Sequence, residues 1–240
     1  MSETLSNIVQ RDDRVATAAA LHVDIIADFV CPFCFIGKKQ LDEALKAVQG
    51  PYEISWNPFQ LNPEIPAEGL PFDIYLTKRF GSPANVEPVL EHLAEQGKTS
   101  GIQFRFDRIR HVPNTLPVHQ LMQYAETVGA DQTAIADHLM SAFFEDGSNI
   151  GQRGILVDIA QAHGISPQET GEAIDSDRNR QIAATREAQV RSSGLAGAPG
   201  FLLNSRLLVV GAQPADNMIT AFDRAMFGEG GDSLAAPALH

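Results

Sequence analysis

The sequence is poor in cysteine, in tryptophan and in basic residues. Among its 240 residues are 2 cysteines, 1 tryptophan, and 18 lysines and arginines against 30 aspartates and glutamates. Two thiols cannot hold together a chain of this length in the manner of small secreted domains with many disulfides. The net charge of -12, with no basic stripe interleaved with aromatic residues, argues against binding to nucleic acid.

Long hydrophobic runs are also missing. No stretch approaches the roughly 20 apolar residues of a membrane-spanning helix, so we expect no membrane partner. Residues 11–14 read Arg-Asp-Asp-Arg and precede only a weak apolar run, unlike a secretory signal. We therefore expect a cytoplasmic protein with flexible tails at residues 1–21 and 228–240. In the cytoplasm cysteines stay reduced, and a close pair is more often catalytic or metal-binding than structural.

Hydrophobic periodicity predicts an α/β fold. Residues 22–29 alternate as a buried strand, residues 34–48 have helical spacing, and residues 52–56 alternate as a second strand. Towards the other end, residues 201–210 read as a hairpin and Pro214 opens a helix. The order βαβ followed by ββα is that of a thioredoxin fold.

The pattern between these two halves is helical. One short alternating stretch, residues 102–106, predicts a strand among the helices. Because neither half could complete a sheet alone, we predict a thioredoxin fold interrupted by an all-helical insertion. We expect the thioredoxin-like domain to comprise residues 22–71 and 195–227, and the insertion to comprise residues 72–194.

Both cysteines lie where the first strand meets the first helix. The order is Cys31-Pro32-Phe33-Cys34. Unpaired N–H groups and the macrodipole at a helix N-terminus favour an anion, which makes Cys31 the expected attacking thiolate. Cys34, one turn further, is placed to attack a mixed disulfide formed by Cys31. The spacing therefore predicts a redox-active dithiol.

Two other interpretations of the cysteine pair remain open. A structural zinc site needs four ligands, and the chain has neither a second cysteine pair nor two histidines spaced for such a site, so we predict no metal. Two inert buried thiols are the other possibility, because free cysteine is commonly buried.

A second candidate site lies far along the chain at Pro199. It directly precedes the predicted hairpin, where a proline has no ladder hydrogen bond to donate and can be cis. A cis proline beside the dithiol would expose the backbone of Ala198 to an extended substrate strand. The alternative is an ordinary trans proline in a turn.

Four blocks of the sequence together form a specific pattern: residues 28–38, residues 56–63, residues 114–115 with His119, and residues 197–199 with 211–213. On these blocks the chain resembles the FrnE-type branch of the DsbA family of thiol-disulfide oxidoreductases. The resemblance implies a thioredoxin fold with a helical insertion, a nucleophilic first cysteine, a resolving second cysteine and a cis proline. These roles fall on Cys31, Cys34 and Pro199.

Other residues in these blocks are candidates for supporting roles. Asp28, three residues before Cys31, is either a proton acceptor during thiol exchange or a loop acid that caps the turn. His119 either faces the dithiol or is structural. Pro32 and Phe33 separate the cysteines, and Ala198 is smaller than the residue the family usually has there.

We therefore predict a protein disulfide oxidoreductase that exchanges disulfides with proteins or low-molecular-weight thiols. We expect it to bind no cofactor, and the sequence leaves open whether glutathione is a co-substrate. The 2-hydroxychromene-2-carboxylate isomerases and kappa-class glutathione transferases resemble this architecture but use serine at the first motif position, which leaves a glutathione-dependent isomerase or transferase as an alternative. A redox-sensing binding protein is a third, and the sequence does not distinguish a monomer from a homodimer.

Overall fold

The computed structural model describes residues 21–228 and divides them into two compact units. The sheet unit combines the described residues up to Phe59 with those from Ala184 onward, and the helical unit runs from Gln60 to Ala183. Both boundaries come earlier in the chain than the predicted ones. The predicted tails lie outside the described residues, except for Leu21 and Gly228.

The elements follow one another as strands, helices and strands again. In chain order they are β1 (Leu21–Ala27), α1 (Pro32–Leu45), β2 (Tyr52–Pro58), β3 (Leu70–Pro71), α2 (Phe72–Phe80), α3 (Pro83–Thr99), β4 (His111–Val112), α4 (Leu116–Thr127), α5 (Gln132–Phe144), α6 (Arg153–Ala162), α7 (Pro167–Asp175), α8 (Asp177–Ser192), β5 (Gly200–Leu203), β6 (Leu207–Val210) and α9 (Ala215–Phe227). Within the part of the chain described, none of the helices is long and apolar enough to cross a membrane.

The sheet unit has the predicted thioredoxin topology. Its four strands are ordered β2-β1-β5-β6, with β1 parallel to β2 and antiparallel to β5. The hairpin of β5 and β6 turns at Asn204 and Ser205, both with positive φ, as a tight hairpin turn requires. The βαβ and ββα halves are thus confirmed, and they meet where β1 pairs with β5.

Burial explains how this sheet is held together. Both faces of β1 are covered, because Ile25 and Ile26 point to opposite faces and each is 1% exposed. Helix α9 packs on α1 with a stripe of buried residues at the spacing i, i+3, i+4 and i+7. The residues of that stripe are Met218, Ala221, Phe222 and Ala225. This packing fixes α1 against the sheet and therefore fixes the start of α1.

The helical unit differs from the predicted all-helical insertion in one detail. Strands β3 and β4 form a two-residue antiparallel ladder, in which Leu70 pairs with Val112 and Pro71 with His111. The expected strand at residues 102–106 is wrong, because that segment is irregular. The rings of Phe104 and Phe106 stack on each other and both lie edge-on to Phe144. The alternation of apolar residues therefore reflects an aromatic cluster and not strand pairing.

Two helices of this unit lack the helical spacing of large apolar residues that periodicity detects. Helix α2 buries only Leu76, so it has no apolar stripe that periodicity could detect. Helix α7 buries mostly small residues, among them Thr170, Gly171 and Ala173. A hydrophobic pattern depends on large side chains, and neither helix supplies enough of them.

Candidate active site

Cys31 is the N-cap residue of α1. Its backbone is extended, and its Sγ accepts a hydrogen bond from the amide of Cys34 at 3.3 Å. Pro32 occupies the first turn, where its missing N–H costs no helical hydrogen bond. The sulfur thus takes the place of the side-chain oxygen that usually caps a helix, and an amide N–H points at it. The partial positive charge at the N-terminus of α1 thus lies next to the sulfur of Cys31.

Cys34 lies one turn further into α1 and is only 1% exposed. Burial raises the pKa of its thiol well above the usual range, and the neighbouring Cys31 and the charge of Asp28 raise it further, against a backbone hydrogen bond from Asp28 that lowers it. Cys34 is therefore held as a neutral thiol. Both cysteines are free thiols in this structure.

Asp28 organises the turn that joins β1 to α1. It is fully buried, its carboxylate accepts the amide of Phe29 at 2.8 Å, and its carbonyl accepts the amide of Cys31 at 3.3 Å. The ring of Phe29 stacks on Trp56 of β2 with centroids 5.9 Å apart. The aspartate is thus a turn acid in the structure and also acts electrostatically on Cys34.

Pro199 meets the dithiol through the residue before it. The Ala198–Pro199 peptide bond is cis, and the carbonyl of Ala198 accepts the thiol of Cys31 at 3.7 Å, across 167 residues of sequence. This meeting follows from the sheet, because Pro199 directly precedes β5 and β5 pairs with β1. The two sequence blocks are therefore brought together by strand pairing.

The block at residues 211–213 contacts residues 198–201, called the proline loop below, from their other side. The amide of Gly211 donates to the carbonyl of Pro199 at 2.8 Å. Gly211 has a φ of +79°, in the left-handed region that glycine adopts readily. The resemblance pointed to this block without a physical reason, and the structure supplies one.

Gly37 is a site residue that our sequence reasoning missed. It lies in α1, and a Cβ atom built on it would be 3.2 Å from Pro199 Cγ and 3.2 Å from Phe201 Cζ. The available signal was a glycine inside a predicted helix, where it lowers helix stability by about 0.5–1 kcal/mol relative to alanine. Such a residue calls for a packing explanation.

The other predicted residues have less specific positions. Pro32 and Phe33 are half-buried, so the residues between the cysteines are more accessible than the cysteines themselves. His119 is buried on α4 and belongs to the helical unit. Among residues 21–228, there is no group of three or more histidines, cysteines, aspartates or glutamates arranged to hold a metal ion.

Comparison with known proteins agrees with this geometry. The family model described as a DSBA-like thioredoxin domain matches residues 22–223. A probable DsbA oxidoreductase from Streptomyces coelicolor is similar in structure, with a TM-score of 0.79, 25% identity, and coverage of 91% of this chain and 92% of that one.

Two more distant structures share the fold. One is a 2-hydroxychromene-2-carboxylate isomerase, with a TM-score of 0.64, 15% identity, and coverage of 85% of this chain and 95% of that one. The other is the cytosolic disulfide reductase DsbM from Pseudomonas aeruginosa with GSH, with a TM-score of 0.57, 19% identity and the same coverage of 85% and 95%.

Proposed function

Because this chain belongs to the family of DSBA-like thioredoxin domains, we propose that it is a thiol-disulfide oxidoreductase acting through Cys31 and Cys34. The observation that carries the proposal is the contrast between the two thiols. Cys31 caps a helix and touches the backbone beside a cis proline, whereas Cys34 is a buried neutral thiol one turn behind it. Cys31 is placed to attack a substrate disulfide, and Cys34 is placed to attack the mixed disulfide that results.

In the reducing direction the thiolate of Cys31 attacks a substrate disulfide. A bond forms between Cys31 Sγ and one substrate sulfur, and the other substrate sulfur leaves as a thiolate that takes up a proton. Cys34 then loses its proton and attacks Cys31 Sγ, which breaks the mixed disulfide and forms the Cys31–Cys34 disulfide. The second substrate sulfur leaves as a thiolate and takes up a proton. Two electrons and two protons pass to the substrate, and the oxidising direction is the reverse.

The second step needs an acceptor for the proton of Cys34. We assign this role to the Asp28 carboxylate, which is buried and whose charge already acts on the Cys34 thiol. A buried base next to a buried acid lets the proton move without passing through bulk water. His119 has no place in this scheme.

The substrate side of the site is the backbone of Ala198. An extended polypeptide pairing there would bring its disulfide to Cys31, and the half-buried Pro32 and Phe33 would contact its flanks. Small thiols such as glutathione would react at the same sulfur of Cys31. The similarity to DsbM with GSH supports glutathione as a co-substrate and a reducing, cytoplasmic setting.

Trapping of mixed disulfides tests the proposal. Cys34→Ser should accumulate a mixed disulfide at Cys31 when incubated with glutathione disulfide or an oxidised peptide, because the resolving thiol is gone. Cys31→Ser is the matched control and should accumulate none, as checked by mass spectrometry. Accumulation through Cys34 in the control would reverse the two roles, and no Cys31–Cys34 disulfide in the oxidised wild type would overturn the function.

The reduction potential decides the direction of the reaction. It follows from the fraction of Cys31–Cys34 disulfide, measured by alkylation across glutathione buffers. A potential near about -270 mV, as in thioredoxin, would indicate a reductase, and one near about -120 mV, as in DsbA, would indicate an oxidant.

A glutathione-dependent isomerase is the second candidate, because the isomerase structure shares this fold. The discriminating variant is the double substitution Cys31→Ser and Cys34→Ser. Isomerisation of 2-hydroxychromene-2-carboxylate by that variant with glutathione would favour the alternative, and its absence would favour disulfide exchange.

A further inference from the structure

Helix α1 contains a buried glycine whose conformation does not explain it. Gly37 has ordinary helical geometry, unlike the several glycines of this chain with positive φ. Glycine is among the poorest residues for a helix interior, and its usual advantage is access to the left-handed region. The reason for a glycine at position 37 must therefore be space.

The space at Gly37 is occupied by the proline loop. A Cβ there would stand 3.2 Å from Pro199 Cγ, 3.2 Å from Phe201 Cζ and 3.4 Å from Ala212 Cα. The two shorter distances are tighter than ordinary van der Waals contacts between carbon atoms, so any side chain at this position must push its neighbours away. Gly154 in α6 is the contrast, because a Cβ there meets no atom within 4 Å.

The same loop forms the substrate side of the dithiol. Pro199 follows Ala198, whose carbonyl oxygen is 3.7 Å from Cys31 Sγ, and Cys31 caps the helix that contains Gly37. Gly37 thus sets how closely α1 can approach residues 198–201. The contact of Cys31 with Ala198 depends on that approach. A displacement at one end of this contact changes the geometry at the other.

We infer that Gly37 is a positioning residue for disulfide exchange. By lacking a side chain it lets α1 approach the proline loop closely enough for the sulfur of Cys31 to reach the backbone of Ala198. The inference rests on the proposed function, since it assigns a role in the same site. It concerns the docking of the substrate disulfide and not the activation of the thiol.

The test is Gly37→Ala, with Gly154→Ala as the matched control. We expect the rate constant for exchange with an oxidised peptide to fall about tenfold in Gly37→Ala, because small misplacements of reacting groups are costly. The rate of Cys31 alkylation by iodoacetamide should stay within about twofold of the wild type, because alkylation depends on thiolate character and access. Gly154→Ala should leave both rates unchanged.

The thermal midpoint of unfolding distinguishes a positioning effect of Gly37→Ala from a general loss of stability. Alanine favours the helix while the contact opposes it, so Gly37→Ala should unfold at nearly the wild-type temperature. Equal losses in exchange and alkylation, or wild-type exchange in Gly37→Ala, would overturn the inference. A wild type that exchanges no disulfide would instead overturn the proposed function.

A relief variant keeps the test decisive if Gly37→Ala folds poorly. Adding Phe201→Leu removes the Cζ atom that the new methyl group meets. The loss of exchange caused by Gly37→Ala should then be smaller in the Phe201→Leu background than in the wild type. No recovery would mean that this contact does not carry the effect, and would count against the inference.

Discussion

The two units of this protein differ in whether they bury charged side chains. In the sheet unit Asp24 is fully buried on β1, where its Oδ1 accepts from the hydroxyl of Ser55 and lies 3.0 Å from His22 Nε2. In the helical unit the pair of Arg153 and Asp175 leaves 55% and 61% of the two side chains exposed. Burial of charge is thus concentrated in the unit that contains the dithiol.

This difference teaches where substitutions will be tolerated. A buried carboxylate depends on its few fixed partners, because water cannot replace them. An exposed ion pair adds little to the free energy of unfolding, because water solvates each partner when the other is removed. We expect the sheet unit to be the sensitive half of the molecule.

Removal of Asp24 should give the largest effect. Asp24→Ala takes away the acceptor shared by Ser55 and His22, and we expect it to lower the free energy of unfolding by about 2–4 kcal/mol. Asp24→Asn keeps an acceptor oxygen and should lose less. Urea unfolding measures both, and a loss below about 1 kcal/mol for Asp24→Ala would break the contrast between the units.

The buried thiol of Cys34 should make the free energy of unfolding depend on pH. We expect this effect to lie between those of Asp24→Ala and Asp175→Ala. The raised pKa keeps Cys34 protonated in the folded state, whereas in the unfolded chain it ionises near about pH 8.5. Stability of the reduced protein is therefore fully present below about pH 8.5 and falls as the pH rises, by about 1.4 kcal/mol per pH unit at most.

Urea unfolding of the reduced protein between about pH 7 and about pH 10 measures this slope. Reduced Cys34→Ala is the control and should lack that part of the decline. The oxidised protein should lack it as well, because it has no thiol to ionise. Parallel curves for the reduced wild type and Cys34→Ala would contradict the assignment of Cys34 as a neutral buried thiol.

The smallest effect is expected in the helical unit. Asp175→Ala removes the partner of Arg153, and we expect a change in the free energy of unfolding of less than about 0.5 kcal/mol. The substitution is chemically the same as Asp24→Ala, so the two measurements compare the units directly. A loss as large as that of Asp24→Ala would show that exposure does not govern the cost.

The residues of the dithiol could be predicted because their signals are local. Cys31, Pro32 and Cys34 stand at a change from strand to helix periodicity, and the alternation of β1 predicts its burial. Spacing and periodicity depend only on residues that are close in the sequence, so they can be identified without knowledge of the fold.

Apart from Pro199, which the family resemblance supplied, features that depend on pairing between distant segments could not be predicted. The contact of Asp24 with Ser55 follows from the register of β1 on β2, in which these two residues are partners. The role of Gly37 depends on how closely α1 approaches a loop more than a hundred residues away. Periodicity carries no information about either distance.

The cap of α1 ties the redox state of the protein to its folding. Cys31 Sγ is the acceptor for the amide of Cys34, and it is also the atom that would form the disulfide. The sulfur of a reduced cysteine and the sulfur of a disulfide differ in strength as hydrogen-bond acceptors. In a thermodynamic cycle of folding and reduction, any free energy that the cap adds to the reduced fold over the oxidised fold also favours reduction. The capping bond therefore contributes to the reduction potential of the Cys31–Cys34 pair.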